Sequence, residues 1–230
     1  FNDYFSRNKK LEDTLKDTGK NELAETIKSI SKMAKIRFKP QDKSLPYGNG
    51  SPIIAAKKFL NKDESFVYMF GDDMTLAEKP VTQQLIDVYK QQNPKAILAV
   101  QEVPLWEVSK YGVVTYKTNV PYKYEIESIV EKPAMEKAPS RMAQFGRFVL
   151  SYDVVEEAEK RQLGKGNELW LTDIINNIAQ RGDKVIAQPI EGEWLTTGDP
   201  LRFIQTTLKF AMKREDLKQD LKEFIKKEII

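Results

Sequence analysis

Cysteine and histidine are both absent from this chain of 230 residues. Without cysteine there is no disulfide framework and no thiolate nucleophile, which agrees with the reducing cytoplasm where we expect the protein to reside. Without histidine the chain lacks the commonest general base and the commonest zinc ligand. Any catalysis must therefore use carboxylates, lysines, arginines, backbone amides or a bound hard cation.

A strong charge of one sign and long apolar runs are also missing. The formal net charge is +3, and no basic cluster is interleaved with aromatic residues, which argues against nucleic-acid binding. No apolar run approaches the ~20 residues of a membrane-spanning helix, so we expect no membrane association. The composition, 40% hydrophobic and 31% charged, is ordinary for a globular protein.

The first 35 residues have a helical pattern, which Gly19 divides into two helices. A short strand is predicted at residues 36–38. The chain begins at Phe1 inside this pattern and without an initiator methionine, so we expect that an N-terminal part precedes it. The apolar positions that recur at helical spacing are Leu11, Leu15, Leu23, Ile27 and Ile30.

Strands and helices alternate in the middle of the chain. FVYMFG (66–71) reads as a central strand that is apolar on both faces, and a helix at 81–92 separates it from the apolar strand at 96–103. This alternation predicts βαβ units and a mostly parallel sheet. Further strands are predicted in YGVVTY, YEIESIVEK and QFGRFVLS, which form an antiparallel or mixed extension of the sheet, and in KVIAQPIE. Helices are predicted at 153–161 and 168–181.

A long helical region runs from residue 200 to the end. Its last part has an apolar stripe that either packs on its own domain or contacts another subunit, and we expect a homo-oligomer. The stripe consists of Leu217, Leu221, Phe224, Ile225 and Ile229. Since no repeat or low-complexity linker is present, we assign one domain to residues 1–213, followed by a C-terminal amphipathic helix at 214–230.

Four short motifs are able to support chemistry, and each also has a purely structural interpretation. PYGNGSP (46–52) is a glycine-rich loop before a helix, so it is either a ligand-binding loop or an ordinary turn. The two aspartates of GDD end a strand and either hold Mg²⁺ or form a turn. In IVEKP, Glu131 and Lys132 point to opposite sides if the strand continues. In GNELWLTD, Asn167 or Gly166 caps a helix with Glu168 in its first turn.

Together and in this order, these motifs resemble the bacterial UTP–glucose-1-phosphate uridylyltransferases. The similar segments include PYGNGSPIIAAKKFL, FVYMFGDDM, VQEVPLWEVSKYGVV, IVEKP, APSRMAQFGRFVLS, GNELWLTDII and TTGDPLRFIQTTLKFAMKRED. The resemblance implies an α/β fold with a Rossmann-like mixed, mostly parallel sheet flanked by helices. It also implies formation of UDP-glucose and pyrophosphate from UTP and glucose 1-phosphate with Mg²⁺.

The resemblance assigns roles to individual positions. Asp72 is similar to the Mg²⁺ ligand, and Asp73 to a residue that supports it. Lys132 resembles the lysine that clamps a phosphate, so Asp72 and Lys132 are the implied catalytic residues. The implied substrate contacts are Gly48 for uracil, Gly112 for the glucose ring, Glu131 for sugar hydroxyls and Gly146 for the sugar side of the site.

Three departures from the family pattern affect these expectations. The N-terminal glycine-rich motif that holds the triphosphate is absent, so a chain that began at Phe1 would bind nucleotide poorly. Thr196 stands where many relatives have a second aspartate, so Asp72 is left as the protein carboxylate for the metal. Gln41 is the candidate uracil reader, but its loop is two residues longer than in relatives.

Several alternatives follow from these departures. The closest is a nucleotidyltransferase for another base or sugar, for instance one that makes dTDP-glucose. A second is a non-catalytic sugar-nucleotide-binding paralogue or fragment. A third is a glycosyltransferase that holds a sugar nucleotide through an aspartate and a metal, but VEKP and E..LTD argue against it.

Overall fold

Residues 5–228 are described by a computed structural model, in which the chain divides into two units, Phe1–Asp42 and Lys43–Ile230. The first unit contains helices α1 (Lys9–Asp17) and α2 (Asn21–Ile30). Gly19 lies between them with φ +76°, so the predicted division at this glycine is confirmed. The predicted helical residues 1–4 lie outside the described part.

The strand predicted at residues 36–38 is wrong, because these residues have no regular secondary structure. Within residues 5–42 there is no strand whose backbone could pair with this segment. A short apolar run becomes a strand only when a neighbouring edge satisfies its backbone groups. Ile36 and Phe38 are correspondingly exposed.

The second unit alternates strands and helices. The strands are β1 (Phe66–Met69), β2 (Asp73–Leu76), β3 (Ala96–Glu102), β4 (Gly112–Tyr116), β5 (Ile126–Glu131), β6 (Met142–Leu150), β7 (Val185–Pro189) and β8 (Glu193–Thr196). The helices are α3 (Ser51–Ala56), α4 (Val81–Gln92), α5 (Tyr152–Ala158), α6 (Leu171–Gln180), α7 (Pro200–Ala211) and α8 (Glu215–Glu228).

Six strands form a mixed sheet in the order β5-β4-β6-β3-β7, with β1 also beside β6, while β2 and β8 pair separately. The predicted mixed α/β fold flanked by helices is confirmed. The expected majority of parallel pairs is wrong, since β3–β7 is the one parallel pair in this sheet among the described residues. The reason is β6, which runs antiparallel to its three neighbours and separates β1 from β3.

Strand β1 lies at an edge of the sheet and not at its centre. Its backbone pairs with β6 from Phe66↔Leu150 to Met69↔Arg147, and no second partner strand is found within residues 5–228. Its side chains alternate between half-buried and exposed, with Met69 56% exposed. Among the described residues the predicted central strand is therefore an edge strand, and its second apolar face, with Val67 and Met69, is exposed.

Helices cover both faces of the sheet around β3, whose first five residues are completely buried. Leu98 belongs to the core that includes α5 and α6, whereas Ile97 belongs to the core that includes α4. Successive strand residues alternate between faces, so this division shows a layer of helices on each side. Because helices cover both faces of the sheet, a ligand site is expected at the ends of its strands.

The C-terminal helices α7 and α8 contain no stretch long and apolar enough to cross a bilayer, and the same holds for every other helix between residues 5 and 228. In α8, Leu217 and Phe224 of the predicted stripe are exposed, and Ile229 lies outside the described residues. The assignment of residues 1–213 to one domain and the expected homo-oligomer both stay predictions.

Candidate active site

Four of the predicted site residues line one cavity of about 260 Å³ at the ends of β1, β4 and β5. These are Asp72, Gly112, Glu131 and Lys132. The rest of the lining is formed by Asn49, Phe70, Asp73, Lys110, Tyr111, Gln144, Phe145, Trp170, Trp194 and Thr196. The cavity thus joins segments that are far apart in the sequence.

The adjacent aspartates of GDD have different environments. Asp73 is buried, and its two carboxylate oxygens accept hydrogen bonds from the Gly146 amide (2.7 Å) and the Trp194 indole N–H (2.6 Å). Burial raises the pKa of Asp73, while these two donors oppose the shift. Asp73 therefore anchors β2 and β8 to β6, while its support of a metal ligand at Asp72 stays a prediction.

Asp72 is exposed at the mouth of the cavity. Its backbone carbonyl accepts hydrogen bonds from the amide (2.7 Å) and the hydroxyl (3.0 Å) of Thr197. A Cβ built on Gly198 would lie 3.3 Å from the Thr196 hydroxyl and 3.5 Å from an Asp72 carboxylate oxygen, so both oxygens border the same space. No group of three metal-ligating acidic side chains occurs in the part of the chain that the structure describes.

A chain of two hydrogen bonds runs from Gln144 through Thr172 to Glu131, and we call these three side chains the relay. The Thr172 hydroxyl donates to Glu131 Oε2 (2.6 Å) and accepts from Gln144 Nε2 (2.7 Å). Thr172 is fully buried and the Glu131 side chain is only 9% exposed. Burial raises the pKa of Glu131, and the Thr172 hydroxyl opposes that rise. The relay holds one carboxylate oxygen of Glu131 and leaves Oε1 near the cavity.

The backbone at Lys132 turns out of the strand with φ +46°, a conformation that side chains other than glycine rarely adopt. As a result Lys132 Nζ lies 3.9 Å from Glu131 Oε1 and 4.3 Å from the centre of the Trp170 ring. Glu131 and Lys132 were expected to point to opposite sides only if the strand continued, and this condition is not met, because the strand ends at Glu131. The carboxylate and the ammonium border the same cavity.

Gly48 does not line the cavity, but its neighbour Asn49 does. Its φ is +128°, and a Cβ there would lie 2.4 Å from the carbonyl oxygen of Leu169. The amide of Gly50 donates to that carbonyl (2.8 Å), and Leu171 N donates to the Asn49 side chain (2.8 Å). Gly48 thus lets the loop pack on the segment before α6 and brings Asn49 to the cavity.

The segment GNELWLTD begins its helix later than predicted. Helix α6 starts at Leu171, its N-terminal flanking residue is Trp170, and Glu168 is extended. The predicted cap at Asn167 or Gly166 is wrong, because Gly166 and Asn167 belong to a separate short turn with positive φ. The extended stretch before α6 is what allows Trp170 to reach Lys132.

Gly146 and Gln41 are the remaining predicted substrate residues. At Gly146, a Cβ would meet the Phe70 side chain at 2.3 Å, and the residue is absent from the cavity lining. Gln41 is exposed and belongs to the first unit. Contacts of either residue with substrate stay predictions.

The structure adds cavity residues that sequence reasoning missed. Thr172 and Gln144 form the relay, Trp170 lies beside Lys132, and Asn49 belongs to the glycine-rich loop. Gln144 carries the clearest signal, because it is a polar residue in the apolar strand MAQFGRFVL. A polar side chain at a buried strand position needs a partner or a ligand.

A larger cavity of about 520 Å³ lies between β8, α7 and the residues after β3. Its charged side chains are all paired: Arg202 with Glu107 and the Tyr111 hydroxyl, Lys209 with Glu193, and Glu102 with Arg141 from outside the lining. Paired groups are less available to a ligand, whereas Asp72, Glu131 and Lys132 converge on the smaller cavity. The smaller cavity is therefore the candidate active site.

Comparison with known proteins gives a consistent family. Residues 8–213 match the family model described as nucleotidyl transferase. UTP–glucose-1-phosphate uridylyltransferase 2 of Staphylococcus saprophyticus is 36% identical over 225 residues, which are 98% of this chain and 76% of that protein. The Bacillus subtilis UTP–glucose-1-phosphate uridylyltransferase is also 36% identical, over 97% of this chain and 75% of its own length.

Solved structures agree with these sequence relatives. The UTP-bound UDP-glucose pyrophosphorylase of Acinetobacter baumannii superposes with a TM-score of 0.85 at 25% identity, covering 99% of this chain and 78% of that one. A UDP-glucose pyrophosphorylase in complex with UDP-glucose superposes with a TM-score of 0.77 at 28% identity, covering 92% and 76%.

Proposed function

The chain belongs to the nucleotidyl transferase family, and from this we propose that it forms UDP-glucose and pyrophosphate from UTP and glucose 1-phosphate. The observation that carries the proposal is the convergence of Asp72, Glu131 and Lys132 on one cavity, which Gly112 also lines. A phosphate, a sugar and a hard cation each find a matching group there.

In the proposed reaction, a phosphate oxygen of glucose 1-phosphate attacks the α-phosphorus of UTP in line. A bond forms between this oxygen and the α-phosphorus. The bond between the α-phosphorus and the oxygen that bridges to the β-phosphate breaks, and pyrophosphate leaves with the electron pair. Glu131 accepts hydrogen bonds from sugar hydroxyls, and Lys132 neutralises phosphate charge. Positioning and charge neutralisation supply most of the catalysis in such transfers, so the lack of histidine is no obstacle.

We also propose that Mg²⁺ takes part and that Asp72 is its carboxylate ligand. The donor set fits this ion, because Mg²⁺ in phosphate sites is often held by one or two carboxylates together with substrate phosphates and waters. The exposed Asp72 carboxylate and the neighbouring Thr196 hydroxyl are the available oxygens. When bound, the ion would neutralise phosphate charge.

Pyrophosphate release from UTP plus glucose 1-phosphate, with and without Mg²⁺, tests this function. We expect Mg²⁺-dependent release that is much slower with dTTP. Asp72→Asn should lower kcat by at least about 100-fold while the far-ultraviolet circular dichroism stays unchanged, since a metal ligand is lost. Asp220→Asn, which changes an exposed aspartate on α8, is the matched control and should keep full activity.

Two results would contradict the proposal. Absence of turnover with UTP and with dTTP would reject a nucleotidyl transfer to glucose 1-phosphate. Unchanged activity in Asp72→Asn would reject the metal assignment while leaving the reaction itself intact.

A further inference from the structure

The side-chain carbonyl oxygen of Gln144 is buried and has no hydrogen-bond partner among the described residues. Gln144 lies on β6, is 7% exposed, and lines the candidate active site. Buried polar atoms in folded proteins are almost always paired, so an unpaired one inside a ligand cavity indicates a missing partner.

The orientation of the Gln144 amide follows from its neighbour. The Thr172 hydroxyl has one proton, and it donates that proton to Glu131 Oε2. Thr172 can then only accept from Gln144, so the NH₂ group of the amide must face Thr172. The carbonyl oxygen is consequently the end that points away from the relay.

The backbone beside Gln144 is adapted to this side chain. A Cβ on Gly112 would lie 2.9 Å from both Cγ and Nε2 of Gln144, so any larger residue at 112 would displace the amide. Gly112 pairs with Glu131 across β4 and β5. The side chains of Gln144 and Glu131, which are also linked through Thr172, are therefore neighbours in the lining of the cavity.

We propose that Gln144 determines sugar specificity, by accepting a hydrogen bond from one hydroxyl of the sugar 1-phosphate through its side-chain carbonyl oxygen. This proposal rests on the proposed function, because it concerns how the same site recognises its sugar substrate. Two adjacent acceptors select a ligand that offers two hydroxyl donors. A sugar without the hydroxyl that faces Gln144 leaves the carbonyl unpaired and binds more weakly.

Calorimetric titration of UDP-glucose and of its 2-, 3-, 4- and 6-deoxy analogues tests the proposal without requiring turnover. With the unmodified protein, we expect the analogues that lack a hydroxyl facing Gln144 or Glu131 each to lose about tenfold or more in affinity, the size of one buried hydrogen bond. In Gln144→Met, which has similar volume but no acceptor of comparable strength, one of these analogues should lose less than about threefold relative to UDP-glucose, while the others keep their losses. Gln144→Asn, whose carbonyl is withdrawn by one methylene, should show the same reduced discrimination.

The matched control is Gln188→Met, because Gln188 is a partly buried glutamine of the same sheet whose amide oxygen is paired with the Tyr122 hydroxyl. It should keep the discrimination of the unmodified protein. The loss of affinity of each analogue relative to UDP-glucose is compared among three proteins, the unmodified one, Gln144→Met and Gln144→Asn. If these losses are the same in all three, the specificity role is overturned while UDP-glucose binding stands. If the unmodified protein binds no UDP-glucose, the proposed function fails, and this inference fails with it.

Discussion

Replacing Thr172 by valine tests the buried relay most directly. Valine keeps the shape of threonine but removes the hydroxyl that donates to Glu131 and accepts from Gln144. Loss of a hydrogen bond to a carboxylate costs about 1.5–3 kcal/mol, and an unpaired buried amide costs about 1–3 kcal/mol. The added methyl group recovers roughly 0.8 kcal/mol. We expect the free energy of unfolding to fall by about 2–5 kcal/mol.

Urea denaturation measures this change, with Thr206→Val as the matched control. Thr206 is also buried, but its hydroxyl donates to the neutral backbone carbonyl of Thr196 (3.0 Å). The control should therefore lose only about 1 kcal/mol. In a Gln144→Met background, Thr172→Val should cost at least about 1 kcal/mol less than it does alone, since no amide is left unpaired.

Two outcomes would refute the relay. One is a Thr172→Val protein whose stability lies within about 0.5 kcal/mol of the unmodified chain, the range typical of surface changes. The other is strict additivity of Thr172→Val and Gln144→Met, because residues in one hydrogen-bond network are expected to couple.

Two further predictions concern the loop and the carboxylate. Gly48→Ala should lower the melting temperature far more than Gly182→Ala. Both glycines have positive φ, but only Gly48 faces backbone atoms of Leu169. Equal decreases in melting temperature would refute the packing role of Gly48. Because burial raises the pKa of Glu131, its ionised form is lost at a higher pH than for an exposed glutamate. As the pH is lowered, UDP-glucose affinity should therefore begin to weaken at a pH above 4.5, the ordinary pKa of glutamate. The raised pKa acts in the opposite direction on stability, because the folded state binds the proton more tightly and folding is favoured at low pH. Calorimetry across pH measures this, and Glu131→Gln should remove the acid dependence.

The direction of the strands was predictable from the sequence, but their neighbours were not. Alternation of strands and helices correctly implied that β1, β3 and β7 run the same way. What it missed is β6, which comes from later in the chain and inserts between β1 and β3. Pairing over such a distance depends on long-range contacts that local patterns do not contain.

The site was predictable where its residues end strands. Asp72, Gly112, Glu131 and Lys132 lie at or next to strand ends, and these ends meet in one cavity. Thr172 was missed because the motif GNELWLTD predicted a helix from residue 168, whereas α6 begins at Leu171. The positive φ of Lys132 was missed as well, since no glycine or asparagine marks that turn.

The three carboxylates of the cavity illustrate how a site without histidine can divide its tasks. Both carboxylate oxygens of Asp73 accept hydrogen bonds from N–H groups of Gly146 and Trp194. This side chain therefore stabilises the structure and has little remaining capacity to bind a ligand. Glu131 has one oxygen held by Thr172 and the other beside Lys132, which leaves an oriented acceptor. Asp72 is exposed and held through its backbone, which leaves its carboxylate free to meet a cation. Because position and charge, and not proton transfer, dominate phosphoryl transfer chemistry, such a division is compatible with the proposed reaction.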